Sequence, residues 1–243
     1  MNSLKTTGII IRRANTGEAD RILTIFTKEY GKLSVLAKGV RKISSKLAGN
    51  LEPYSVAEFI FQEGKSLETV ISAVTIDHSY TLSDDCKNFA KAHYFGELID
   101  KLVPENEKHS EIFEIFKAAI IRLKRGDNDF LLPYFELKML DKLGYSPQVY
   151  YCVKCRHKLL ADKNYFSFSD GGVACEECRS AGFLEISVEA IKILRLIIES
   201  DVSLVDRLNI DLKLREEIEN ITDNYIKYIL DRNLRSKQIM NKL

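Results

Sequence analysis

Four of the chain's five cysteines fall in two pairs with the spacing of metal ligands. Cys152-Val153-Lys154-Cys155 and Cys175-Glu176-Glu177-Cys178 stand nineteen residues apart. A two-residue gap lets one tight turn aim both sulfurs at a single ion, and a second such turn completes a tetrahedron with bonds of about 2.3 Å. Between the pairs, Tyr165-Phe166-Ser167-Phe168-Ser169 followed by Asp170-Gly171-Gly172 reads as a strand and turn. A hairpin there returns the second pair to the first. The expectation is one structural Zn2+ held by Cys152, Cys155, Cys175 and Cys178. Such an ion supplies about 10–16 kcal/mol, enough to hold a module that lacks a core of its own. A thioredoxin-like redox pair needs a βαβ setting, and two symmetric pairs suit ligation better. Catalytic zinc keeps one position open for water, whereas four thiolates close the sphere. No H-x-E element precedes the cysteines as it does in zinc deaminases. His157, two residues after Cys155, reads as a solvated neighbour.

The remaining chemistry-bearing residues are scattered. Glu63-Gly64-Lys65-Ser66 has the tail of a phosphate-binding loop, but Phe59 stands where the first glycine belongs, and the segment reads as a hairpin turn. The four histidines (His78, His93, His109, His157) accompany no recognisable nucleophile. Asp84-Asp85 reads as the start of a helix, complementing its dipole. Cys86 reads as a small buried hydrophobe. With no catalytic constellation, the chain reads as a non-enzyme.

An odd cysteine count argues against a disulfide scaffold and for a reducing compartment. No apolar run approaches the length of a membrane span, and the first residues lack a secretory core, so the expected address is cytoplasmic. Hydrophobic residues at 45% and charged residues at 29% are the proportions of a folded globular chain, not a disordered one. The net charge of +1 hides an asymmetry. Residues 1–50 hold ten Lys and Arg against three acids, a net of +7, so the rest of the chain carries −6. A basic segment on a near-neutral chain predicts a polyanion partner for one domain only.

Three regions must position these residues. Residues 1–80 read as five short strands, Gly8–Arg13, Arg21–Thr27, Lys32–Ala37, Ser55–Gln62 and Leu67–Val74. Closure removes exposed edges, so a small barrel is expected, most commonly an OB-fold, with 38–46 as a polar loop between the third and fourth strands. Helical spacing takes over from Phe89 to Leu102, from Ile112 to Leu123 before Gly126, and from Phe135 to Leu143 before Gly144. It resumes with Val188, Ile191, Leu194 and Ile198, then from Leu214 to Ile229. The predicted architecture is α+β: an OB-fold over 1–80, an α-helical bundle formed by 81–149 and 183–243, and an inserted zinc module over 150–182.

Several stretches are similar to one known family. They are Gly8-Ile9-Ile10-Ile11-Arg12-Arg13, Gly17-Glu18-Ala19-Asp20-Arg21-Ile22-Leu23-Thr24-Ile25-Phe26-Thr27, Gly31-Lys32-Leu33-Ser34-Val35-Leu36-Ala37-Lys38-Gly39-Val40-Arg41, and Leu47-Ala48-Gly49-Asn50-Leu51-Glu52-Pro53-Tyr54. Phe135-Glu136-Leu137-Lys138-Met139-Leu140 and Leu143-Gly144-Tyr145-Ser146-Pro147 resemble the segment that leads into the same family's cysteine knuckle. The family is that of the bacterial DNA repair protein RecO, some of whose members lack the cysteines.

The resemblance implies an N-terminal OB-fold, a helical domain, an inserted zinc module and a role as a recombination mediator working at the nucleoid. It implies binding to single- and double-stranded DNA, annealing of complementary strands and, with the partner RecR, loading of RecA onto DNA coated by single-strand-binding protein. That last protein is engaged through its C-terminal tail. For phosphate contact the expected residues are Arg13, Lys38, Arg41, Lys42 and Lys46, with Tyr30 and Tyr54 open as base-stacking platforms and Phe61 as core. The competing reading is a zinc-containing protein-interaction adaptor that does not itself anneal DNA.

Overall fold

The computed structural model describes residues 3–64, 66–78, 85–126, 130–240 and 242. They form two compact units, Met1–Asp127 with Leu234–Leu243, and Asn128–Asn233.

In the first unit, β1 (Ser3–Thr16), β2 (Asp20–Thr27), β3 (Gly31–Ala37), β4 (Val56–Gln62) and β5 (Glu68–Asp77) close a barrel in the order β1-β2-β3-β5-β4. Closure depends on the length of β1. Its first half pairs antiparallel with β4 and its second half with β2, and a bulge between Ile10 and Arg12 lets the strand bend from one partner to the other. A short parallel contact, Val35 with Glu68 and Leu36 with Thr69, seals the last seam. The run Ile9-Ile10-Ile11 is buried throughout because β1 is covered on both faces. Ile10 joins Leu23, Ile25, Val35, Phe59 and Phe61 inside the barrel. Ile11 instead faces α1 (Cys86–Leu102) near Gly96, and Phe26 packs on Phe113 and Phe116 of α2 (Ser110–Arg125). Gly31 opens β3 at φ +70°, and a Cβ there would lie 1.8 Å from the Glu107 carbonyl oxygen. Only glycine meets both demands. Asp85 caps α1 by accepting from the Lys87 and Asn88 amides at 3.0 and 3.1 Å, while its neighbour Asp84 lies outside the described residues, as does Lys65 of the turn after β4.

The second unit contains α3 (Leu131–Lys142), a sheet of β6 (Asn164–Ser167), β7 (Gly172–Cys175) and β8 (Leu184–Ile186) in the order β7-β6-β8, and then α4 (Val188–Glu199), α5 (Leu204–Arg207) and α6 (Leu212–Leu230). α3 is the central helix, buried from Leu131 through Leu140 and packed on α4 and α6. Its two buried charges are satisfied. Glu136 accepts from Thr222 Oγ1 at 2.6 Å, and Lys138 Nζ donates to the Ile198 carbonyl at 2.8 Å.

The chain thus has the expected N-terminal five-stranded barrel, helical region and four-cysteine segment. The helices divide between the two units. The reason is the apolar outer face of the barrel, which α1 and α2 cover. α7 (Arg235–Met240) joins them by packing on α1, where Ser236 donates through its amide to Glu97 Oε2 at 2.9 Å.

Candidate metal centre and basic loop

The first cysteine pair sits on a knuckle closed by its own backbone. The Arg156 amide donates to the Cys152 carbonyl at 3.0 Å, with Arg156 at φ +65°, and the Cys152 amide donates to the His157 carbonyl at 2.8 Å. The second pair straddles the end of β7, with Cys175 its last residue and Cys178 on the 3-10 turn that follows, Glu176–Cys178. β7 is registered against the knuckle by two backbone bonds, Val153 amide to Val173 carbonyl at 2.9 Å and Val173 amide to Gln148 carbonyl at 2.8 Å. Gly172 permits this approach, since a Cβ there would fall 2.4 Å from the Gln148 carbonyl oxygen. The β6–β7 turn is tied down by Asp170, which accepts from Ser167 Oγ at 2.6 Å and Lys154 Nζ at 2.8 Å. Those bonds hold the Asp170 carboxyl below its usual value.

The result brings all four sulfurs within 4.8 Å of one another. The Cys155 and Cys175 Sγ atoms are 3.8 Å apart. Four sulfurs at the corners of a tetrahedron with bonds of about 2.3 Å stand about 3.8 Å from each other, so the donor set fits one ion. Cys152 is fully buried, and the other three are half-buried. Burial opposes ionisation of Cys152, but hydrogen bonds from the cluster and from the Lys154 and Cys175 amides, both at 3.4 Å, outweigh it and bring its thiol down to about 6. Cys175 and Cys178 respond in the opposite sense. Hydrogen bonds with Cys175 and Cys155 push Cys178 up to about 12, and burial raises Cys175. Four thiolates cannot coexist at this separation without a cation, and a divalent ion supplies that charge. His157 is exposed and outside the cluster.

The segment is not coreless as expected from its composition. Val149, Leu159, Tyr165, Phe166, Val173, Ala174 and Ile186 are buried, and Phe166 meets the Tyr225 ring of α6 edge-on at 5.5 Å. Sequence reading missed this because the covering residues lie on α6, far along the chain.

In the barrel unit, structure sorts the ten N-terminal cations. Lys5 pairs with Glu58 at 3.6 Å, Arg13 with Glu52 at 3.1 Å and Lys28 with Glu114 at 2.7 Å. Lys32 is buried and donates to the Asp100 carbonyl at 2.6 Å. Arg12 donates to Thr24 and Arg21 to Asn15. Lys38, Arg41, Lys42 and Lys46 are exposed and enter none of the ion pairs among the described residues, although the Arg41 guanidinium donates to the Gly17 carbonyl at 3.4 Å. All four lie on the loop after β3. That loop is anchored to the β1–β2 turn, with the Gly39 amide donating to Asp20 Oδ1 at 2.7 Å and the Arg41 amide to the Ala19 carbonyl at 2.9 Å. Arg13 stands apart from this group, on β1 and engaged by Glu52. Tyr54 is unavailable for stacking, because it is buried under α1 with its hydroxyl 2.9 Å from His93 Nδ1. Phe61 is core, stacked on Phe59, and Tyr30 is partly buried against the barrel interior. Lys237, near the C-terminal end, is likewise internal, over the Tyr94 ring at 4.9 Å. No helix among the described residues is long and apolar enough to cross a membrane.

A closed five-stranded barrel with an exposed basic loop, in a chain whose second unit is helical and carries a four-thiol knuckle, defines a class of two-unit proteins. Comparison with known proteins gives the particular family. Residues 1–79 match the model of the recombination protein O N terminal, and residues 83–238 that of its C terminal. The DNA repair protein RecO of Dehalococcoides mccartyi is 35% identical over 233 residues, 95% of this chain and 92% of the relative. That of Acetivibrio thermocellus is 34% identical over 237 residues, 96% of this chain and 94% of the relative. The chain belongs to the RecO family of DNA repair and recombination proteins.

Proposed function

We propose that this protein is a non-enzymatic, DNA-binding recombination mediator. It anneals complementary single strands and, with RecR, helps load RecA onto DNA coated by single-strand-binding protein, whose C-terminal tail it engages. The observation that carries the reading is the set of exposed cations Lys38, Arg41, Lys42 and Lys46, none in an ion pair among the described residues, on one anchored loop of the barrel. Annealing makes and breaks no covalent bond. What it requires is neutralisation of phosphate repulsion while the base edges stay free, and point charges on a shallow loop suit that task. Arg13 joins the surface when a phosphate displaces Glu52, an exchange between two anions of like charge. The same reading makes Cys152, Cys155, Cys175 and Cys178 the ligands of one structural zinc ion, a closed site with no position for substrate.

The test is strand annealing by the protein alone, on bare and protein-coated strands, across a salt series. If four to six phosphates are neutralised, log affinity for a single strand falls with log salt at a slope of about −3 to −4. Charge reversal at Lys38, Arg41 and Lys42 together should flatten that slope by about 2 and abolish annealing. Salt-independent binding, or full annealing by the reversed variant, would leave the adaptor reading in its place.

A further inference from the structure

One side chain on the basic loop is of the wrong chemistry for phosphate. Ile43 has a relative exposure of 107%, against 74% for Leu160, the next most exposed large hydrophobic residue. It lies between Lys42 and Lys46 on a loop whose backbone is held. The Arg41 and Gly39 amides are bonded to the β1–β2 turn, the Lys42 amide donates to the Gly39 carbonyl at 3.1 Å, and the Ser45 amide to the Lys42 carbonyl at 3.0 Å. The side chain is therefore presented by a fixed turn. An isolated exposed aliphatic residue is ordinary on a protein surface. One fully extended into solvent, flanked by exposed cations on an anchored tip, matches the design of wedges that enter a base step while neighbouring cations grip the phosphates.

We propose that Ile43 inserts between adjacent nucleobases of the bound strand and unstacks them. The inference rests on the DNA-binding reading of this loop and adds the contact to the base itself. Beside it, Lys38 and Lys42 line an open cleft of about 560 Å3 with Glu18, Ala19, Asp20 and Gly39. Breaking the stack of a single strand lets its bases meet a complementary strand, which is where such a wedge serves annealing.

The experiment uses the full-length protein and a single-stranded oligonucleotide carrying 2-aminopurine, which brightens when unstacked. An aliphatic wedge does not quench the probe, so wild-type protein should raise its emission. Ile43→Ala and Ile43→Ser, both at an exposed position, should lose most of that rise and bind about tenfold more weakly, the scale of one engaged base. Their salt slope should equal that of wild type, because every cation remains. Ile43→Leu should restore the emission. Equal brightening by wild type and Ile43→Ala would overturn the wedge while a preserved salt slope leaves the DNA-binding reading standing. Failure of wild type to bind the oligonucleotide at all would overturn both.

Discussion

Replacing Asp100 by Asn tests how the barrel is held to α1. Lys32 leaves β3 and enters the first unit with its side chain only 6% exposed, its ammonium 3.9 Å from Asp100 Oδ1. At that distance and an effective dielectric near 20 the gross attraction is about 4 kcal/mol. The two partners feel their surroundings differently. At Lys32 burial dominates and lowers the pKa of the ammonium. At Asp100 burial opposes ionisation, but a hydrogen bond from Lys101 and the charges of Lys101, Arg12 and Lys32 outweigh it and hold the carboxyl below 3.8. The desolvation of Lys32 offsets part of the attraction, while its loss of a counter-ion adds to the damage, so Asp100→Asn should cost about 3 kcal/mol at pH 7. Hydrogen exchange at β3 and α1 amides reads this in the barrel unit alone. The sign with pH follows from the depressed carboxyl. Its stabilisation is fully present above 3.8 and is lost as pH falls through the lower value it has in the folded state, so the gap between wild type and variant should close in acid. A gap below about 0.5 kcal/mol at pH 7, or one that persists unchanged into acid, would refute the reasoning.

Chelation of bound metal, or Cys152→Ala, should speed exchange of β6, β7 and the knuckle amides while leaving β1–β5 protected, with zinc lost from metal analysis in the same samples. Protection of β7 that ignores chelator would count against a metal clamp. Thr222→Val removes a 2.6 Å donor from the buried Glu136 carboxylate and should cost about 2–3 kcal/mol in urea unfolding. Gly31→Ala forces a methyl onto the Glu107 carbonyl at a left-handed backbone position and should destabilise the barrel unit by about 3–5 kcal/mol, seen as a lower first thermal transition.

The four-cysteine cluster was legible in the sequence because the constraint is local: two turns, each with a two-residue gap, bring the sulfurs together. The barrel strands were legible too, although Arg21–Thr27 failed to alternate. The cause is now visible, since Leu23 and Ile25 point inward while Phe26 is buried on the other side under α2. A strand covered on both faces has no polar side to mark its period. What could not be read was partnership across long separations. Nothing near Lys32 announces Asp100, and nothing near Glu52 or Glu58 announces Arg13 or Lys5. The basic surface therefore looked broader than the loop after β3, whose four exposed cations enter no ion pair among the described residues. Tyr54, open as a stacking platform on sequence alone, is closed off for the same reason, its cover being Phe89 and His93 on α1.

The chain leaves its first unit at Asp127 and re-enters it at Leu234, so the second unit is nested within the first. On a ribosome this reverses the usual order. Residues of the barrel emerge first, yet the helix that receives Glu97 and covers Tyr94 is made last, after the whole of the nested unit. A stop codon just before Leu234 would spare every cysteine and every strand, and its damage would fall on the oldest part of the nascent chain.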